Sequence, residues 1–236
     1  MPRGRFVRFE AYKPGMRYSL GFDTALGIAG KDRDAAVLLD CNRVQVAALD
    51  GHFGETFADP LMKVIDAYGG PSNVFIVGER ATLGLVILRK LWDSGYTWMY
   101  RDHADEKPGN NVRDVLGHVP TEYDITVASL QEAIANQSIW IRDEPTYAEC
   151  CKFGFQPRTK SMSHDEAMVS RDFKMGAPAG EHDDRVRALA LANFGVKELP
   201  RFTPPKVELP AGSIGRLLGW DKTANGEDEP KKGRWG

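Results

Sequence analysis

Four carboxylates at three separated places carry the chemistry that this sequence offers. Asp23 closes the apolar run Tyr18-Ser-Leu-Gly-Phe-Asp23, Glu79 follows Val74-Phe-Ile-Val-Gly78, and Asp183-Asp184 opens the amphipathic stretch Arg185 to Asn193. Asp has low strand propensity, and a buried charge needs a partner. Acids delivered at the ends of elements are therefore turn formers or ligands. Gathered into one pocket, they would suit a hard divalent cation, because Mg²⁺ takes oxygen ligands and keeps some of its waters. Two such ions about 4 Å apart activate a water and stabilise the leaving oxygen in phosphodiester hydrolysis. Each acid also has a plainer reading. Asp23 suits a turn, Glu79-Arg80 a surface ion pair, and Asp183-Asp184 a helix N-terminus with no metal.

Ligands for such chemistry must stand on rigid elements, since the reacting geometry tolerates little error. The pattern supplies them. Tyr18–Asp23 reads as a strand, followed by a Gly-rich turn to the charged tip Lys31–Asp34. Ala35–Leu39 and Val44–Leu49 read as two more strands joined by a tight turn. Asp59-Pro60 predicts a helix start, with Asp59 as its cap and Leu61, Val64, Ile65 and Tyr68 on one apolar face. Val74–Val77 is a continuous apolar run, as expected of a strand covered on both faces. A helix over Leu83–Ser94 and a strand over Tyr96–Tyr100 complete a crossover pattern. The expected fold class is thus α/β: an antiparallel three-strand meander, then parallel strands with crossover helices on both faces of a mixed sheet. In such a sheet the first and fourth strands lie side by side and bring Asp23 and Glu79 together.

Beyond it, Ala104–Pro120 is a long polar excursion, of the kind that is functional or mobile. Helices are expected around Ile125–Asn136, Pro145–Phe153 and Asp183–Phe194, and Phe155–Ala179 reads as irregular. Residues 1–17 read as a basic lead-in segment or linker, 18–195 as the domain itself, and 196–236 as a Pro-rich, partly disordered tail.

Composition excludes little. The 236 residues carry a net charge of −2, so nucleic-acid binding gains no direct support, although clustered acids would mask surface Lys and Arg in that total. No apolar run approaches the roughly 20 residues of a membrane span, so no membrane partner is expected. Cys41, Cys150 and Cys151 form no metal-ligand or redox spacing and suit a reducing cytoplasm.

The ordered set of acids is similar to that of a known family. Gly21-Phe-Asp23-Thr-Ala, Ile76-Val-Gly-Glu79-Arg-Ala-Thr-Leu-Gly84 and Gly180-Glu-His-Asp183-Asp184-Arg-Val-Arg-Ala188 resemble the three motifs of the nuclease domain of tailed-phage terminase large subunits. The resemblance spans Tyr18 to Asn193 and implies an RNase H-like fold. It further implies that Asp23, Glu79 and one of Asp183 and Asp184 are catalytic ligands of two Mg²⁺ or Mn²⁺ ions that cut double-stranded viral DNA during packaging. An ATPase motor domain, a small terminase subunit and the capsid portal are the partners it implies, in the cytoplasm of the infected bacterial host. Two departures stand out. Ala81 occupies a position where the family often has Asn, although Gly84 is kept. No phosphate loop is present either, since Gly27-Ile-Ala-Gly30-Lys31-Asp32 lacks the spacing and the Ser/Thr. An isolated nuclease domain is therefore expected.

DNA held without base reading is held by its phosphates, through Lys, Arg and backbone N–H groups. Arg80, Lys107, Arg113, Arg158 and Lys160 are the candidates, against a plain solvated surface. Two other readings stay open. One is a Holliday-junction resolvase or transposase-like nuclease of the same fold, and the other is a non-catalytic packaging-assembly module.

Overall fold

The structure, a computed structural model, describes residues 4–25, 33–81, 83–104, 113–119, 125–157 and 173–200. They fall within one unit, Met1–Arg201. The expected tail, 196–236, lies outside the described residues beyond position 200.

A five-stranded sheet runs through the centre. Its strands are β1 (Gly4–Arg8), β2 (Tyr18–Asp23), β3 (Asp34–Asp40), β4 (Gln45–Gly51) and β5 (Val74–Gly78), in the spatial order β1-β4-β3-β2-β5. β2, β3 and β4 form the expected antiparallel meander, and β5 pairs parallel to β2 with Tyr18 opposite Val74 and Phe22 opposite Gly78. The lead-in segment is extended, but Gly4–Arg8 is the edge strand beside β4 and so part of the sheet. Arg5 explains why it docks. Its guanidinium donates to Asp50 on β4 and, through two nitrogens, to Asp143.

One face of the sheet carries α1 (Ala58–Ala67) and α2 (Leu83–Asp93). Phe22 packs edge-on against Phe57, and Tyr18 against Tyr68, at the two ends of α1. α1 begins at Ala58 after a short 3-10 turn, so Asp59 and Pro60 lie inside its first turn and Asp59 is not the cap. Proline is tolerated there because the first N–H groups of a helix have no partner within it.

The other face carries α3 (Ile125–Ala135), α4 (Glu144–Lys152) and α5 (Asp184–Gly195). α5 supplies Val186, Ala188, Leu189, Ala190 and Ala192 to a core completed by Ala35, Val37 and Leu39 of β3 and Val127 and Leu130 of α3. α4 begins where Asp143 accepts the Thr146 amide and hydroxyl protons, with Pro145 in its first turn.

The irregular regions hold two hairpins. β6 (Arg101–Ala104) pairs with β7 (Arg113–Leu116), and β8 (Gly154–Pro157) with β9 (Phe173–Gly176). The strand expected at Tyr96–Tyr100 is reduced to a single bridge, Ile76 with Met99, and Trp140 makes another isolated bridge, with Val44. No helix among the described residues is long and apolar enough to cross a membrane.

Candidate metal centre

Side-chain alternation along the strands decides where the acids point. On β5, Phe75 and Val77 pack with Leu191 of α5, so Glu79, two residues further on, continues the α5-facing row. On β2, Gly21 faces α5 and Asp23 follows it on the same side. Parallel pairing of Phe22 with Gly78 then sets Asp23 and Glu79 next to each other at the C-terminal end of both strands, where the Glu79 amide donates to the Phe22 carbonyl.

Glycine brings the third element in. A Cβ on Gly21 would lie 2.1 Å from the Ala188 carbonyl oxygen and 2.2 Å from the Ala192 nitrogen, so the α5 backbone lies directly on the strand. A Cβ on Gly195 would meet Ser19 Oγ at 2.4 Å, which fixes α5 as antiparallel to β2. From Gly21 to Asp23 the strand advances about 6.6 Å, and from Ala188 to Asp184 the helix advances about 6 Å. Asp184 consequently arrives opposite Asp23. Both are buried, at 8% and 7% exposure, while Glu79 is half-buried.

Electrostatics records the convergence. Burial first, and then the Glu79 carboxylate, hold Asp23 well above the ordinary carboxylate range. Asp184 adds to that rise, whereas Arg187 and the Thr24 amide, 2.8 Å from Asp23 Oδ1, oppose it. Asp23 thus carries more negative charge around it than its protein partners offset.

The sequence leaves Asp183 and Asp184 as equal candidates, and their surroundings differ. Asp184 is the first residue of α5, accepts the Arg33 amide proton at 3.0 Å and lies 3.7 Å from His182 Nδ1. Asp183 precedes the helix, makes no capping bond, and sends its carboxylate to Arg187 Nε at 3.3 Å. The next residue is anchored on the opposite flank. Arg185 is held by Glu149, which also accepts its amide proton, and by Asp50 at 2.9 Å.

Two further supports have no motif in the sequence. Asp34, fully buried, accepts the amide protons of Ala25, Phe53 and Gly54 and so fixes the chain as it leaves Asp23. His118 bridges the Glu79 backbone: its amide donates to the Gly78 carbonyl and its carbonyl accepts from Arg80. Asp34 sits in what reads as a charged turn tip and His118 in a polar excursion, so their partners are visible only in three dimensions. Gly84 belongs to the same group, because a Cβ there would lie 1.9 Å from the Glu79 carbonyl oxygen. At Ala81 the backbone carbonyl closes the turn into α2 by accepting from Gly84.

Of the phosphate-binding candidates, Arg80 follows Glu79 in the chain, and its Nε has no hydrogen-bond partner among the described residues. Arg113 opens β7, remote in sequence from the acids. Lys107, Arg158 and Lys160 lie outside the described residues.

Among the described residues no three Asp, Glu, His or Cys side chains close into a ready-made ion cage. Mg²⁺ does not require one, since it binds through one or two carboxylates and retains waters. The hard oxygen donors and the uncompensated charge at Asp23 fit such an ion in an open site.

No protein-family model matches the sequence, and no curated protein does. Solved structures do. The chain is similar to the large terminase nuclease of thermophilic phage G20c with bound magnesium, at 17% identity and a TM-score of 0.58 over 81% of this chain and 88% of that one. For the cobalt-bound form the identity is 18% and the TM-score 0.60, over 81% and 88%. For the large terminase nuclease domain of Thermus phage P74-26 they are 19% and 0.56, over 82% and 86%. The chain has the RNase H-like fold of phage large terminase nucleases.

Proposed function

We propose that this chain is a metal-dependent endonuclease that cuts double-stranded viral DNA during genome packaging, as the nuclease domain of a tailed-phage terminase large subunit. One observation carries the reading: Asp23, Glu79 and Asp184 come from three elements to one end of the sheet, and Asp23 is buried among like charges. Structures sharing the fold were solved with magnesium and with cobalt. The oxygen-only donor set of this chain suits Mg²⁺ or Mn²⁺.

Asp23, with Glu79 and Asp184 whose charges act on it, would hold the divalent ions. Bound ions would supply Lewis-acid polarisation of the scissile phosphate and a lowered pKa for the attacking water. The protein supplies placement. Asp34 holds the chain beyond Asp23, His118 and the close approach at Gly84 hold Glu79, and the Arg185 anchorage holds Asp184. Arg80 would receive a DNA phosphate, with Lys107, Arg113, Arg158 and Lys160 as the further candidates. By the same reading, the partners are an ATPase motor, the small terminase subunit and the capsid portal, in the host cytoplasm.

Incubation of the purified chain with supercoiled plasmid tests this. Nicking followed by linearisation at many positions is expected with Mg²⁺ or Mn²⁺ and none with EDTA. Activity confined to four-way junctions would instead favour a resolvase, and no cleavage with any ion an assembly module.

A further inference from the structure

The first turn of α5 contains two arginines, Arg185 and Arg187. Positive charge there opposes the helix macrodipole, which favours anions at the N-terminus. Arg185 is accounted for by Asp50 and Glu149. Arg187 points elsewhere. It stands three residues after Asp184 and four after Asp183, spacings that share one helix face. Its Nε pairs with Asp183 at 3.3 Å, and its side chain is only 30% exposed. An exposed pair of this type contributes little, but this guanidinium is withdrawn from water beside the cluster. Burial works against its charge, and Asp183, Asp23 and Glu79 together outweigh burial.

We infer that Arg187 is the resident counter-cation of the carboxylate cluster, holding the acids together when no ion is bound and competing with a divalent ion for the same negative charge. The inference rests on the cluster's being a metal site. Arg187 is thus a positioning residue whose guanidinium gives way to the incoming ion while Asp183 keeps it within reach. Asp183, whose carboxylate meets Arg187 Nε at 3.3 Å, is then the tether, and Asp184 the ligand. A guanidinium suits this part because it stays charged in any surroundings and offers a fork of donors to more than one carboxylate.

Thermal melting of wild type, Arg187→Gln and Arg187→Lys, titrated with Mn²⁺ from an EDTA-treated start, tests the inference. In EDTA, Arg187→Gln should melt several degrees lower. Its Mn²⁺ midpoint should fall about fivefold or more, because the ion no longer competes with a fixed charge. Arg187→Lys should keep the wild-type midpoint within about twofold. A structural arginine would lower the melting temperature by the same amount with and without metal and leave the midpoint alone, which would overturn the competition. The pair with Asp23 decides the metal-free half: in an Asp23→Asn background the cost of Arg187→Gln in EDTA should shrink, and undiminished cost would refute a counter-cation. A wild-type protein indifferent to every divalent ion would sink the metal reading itself, while the EDTA cycle still decides the role of Arg187.

Discussion

Replacing Gly21 with alanine adds one methyl group at the place where α5 lies on β2. The new Cβ would sit 2.1 Å from the Ala188 oxygen and 2.2 Å from the Ala192 nitrogen. Ordinary contact needs about 3.4 Å, so helix and strand must part by roughly 1.3 Å. Both obstacles are backbone atoms and cannot rotate away. Overpacking of this kind costs about 1–3 kcal/mol, and the rigid neighbours place this case near about 3. For a domain of this size that is a fall in melting temperature of about 6–12 °C. The displacement also carries Asp184 away from Asp23. A misplacement of about 1 Å costs on the order of 100-fold in rate. Differential scanning fluorimetry and plasmid cleavage at a temperature below the variant's melting point would read the two effects. Gly154→Ala, where a Cβ meets nothing within 4 Å among the described residues, is the control and should change neither. Parental stability and parental cleavage in Gly21→Ala would refute the close approach and the placement of Asp184 derived from it.

Asp184→Asn should abolish metal-dependent cleavage, whereas Asp183→Asn should retain a measurable part of it; equal loss in single-turnover assays would make both of them ligands. Asp143 titrates below the ordinary carboxylate range: burial would raise it, but the hydrogen bonds from Arg5 and Thr146 outweigh that. A depressed pKa gives stability that is complete above the unfolded value of about 3.9 and is lost as pH falls below it and through the lower folded value. Asp143→Asn should therefore cost about 2 kcal/mol at pH 7 and progressively less below pH 4, as measured by urea unfolding. Arg80→Ala should weaken DNA binding uniformly across sequences and flatten its salt dependence by about one phosphate contact, an effect that fluorescence anisotropy at several salt concentrations would show or deny.

Much of the fold was legible because period and punctuation agree with it. The meander, the β2–β5 pairing and α1 follow from apolar runs of the right length between turn residues, and that pairing places Asp23 beside Glu79. What escaped was non-local. Gly4–Arg8 has no strong strand pattern and joins the sheet because Arg5 finds Asp50 and Asp143 far along the chain. Trp140 stands 68% exposed although it is a large apolar side chain, since its backbone is what bridges Val44. The hairpins β6–β7 and β8–β9 are too short and too polar for alternation to announce them. At the site, the acids were visible as types at element ends. The choice between Asp183 and Asp184, the amide grip of Asp34 and the charge of Arg187 depend on which face of α5 meets β2. Gly21 decides that, and its need for space shows only once the helix is in place.

The most direct test of the central claim is a crystal grown without divalent ions, soaked in Mn²⁺ and measured for anomalous scattering. Manganese peaks bound to Asp23, with Glu79 and Asp184 as the flanking carboxylates, are expected. Saturating Mn²⁺ that gave no peak at Asp23, or peaks only at other acids, would contradict that claim.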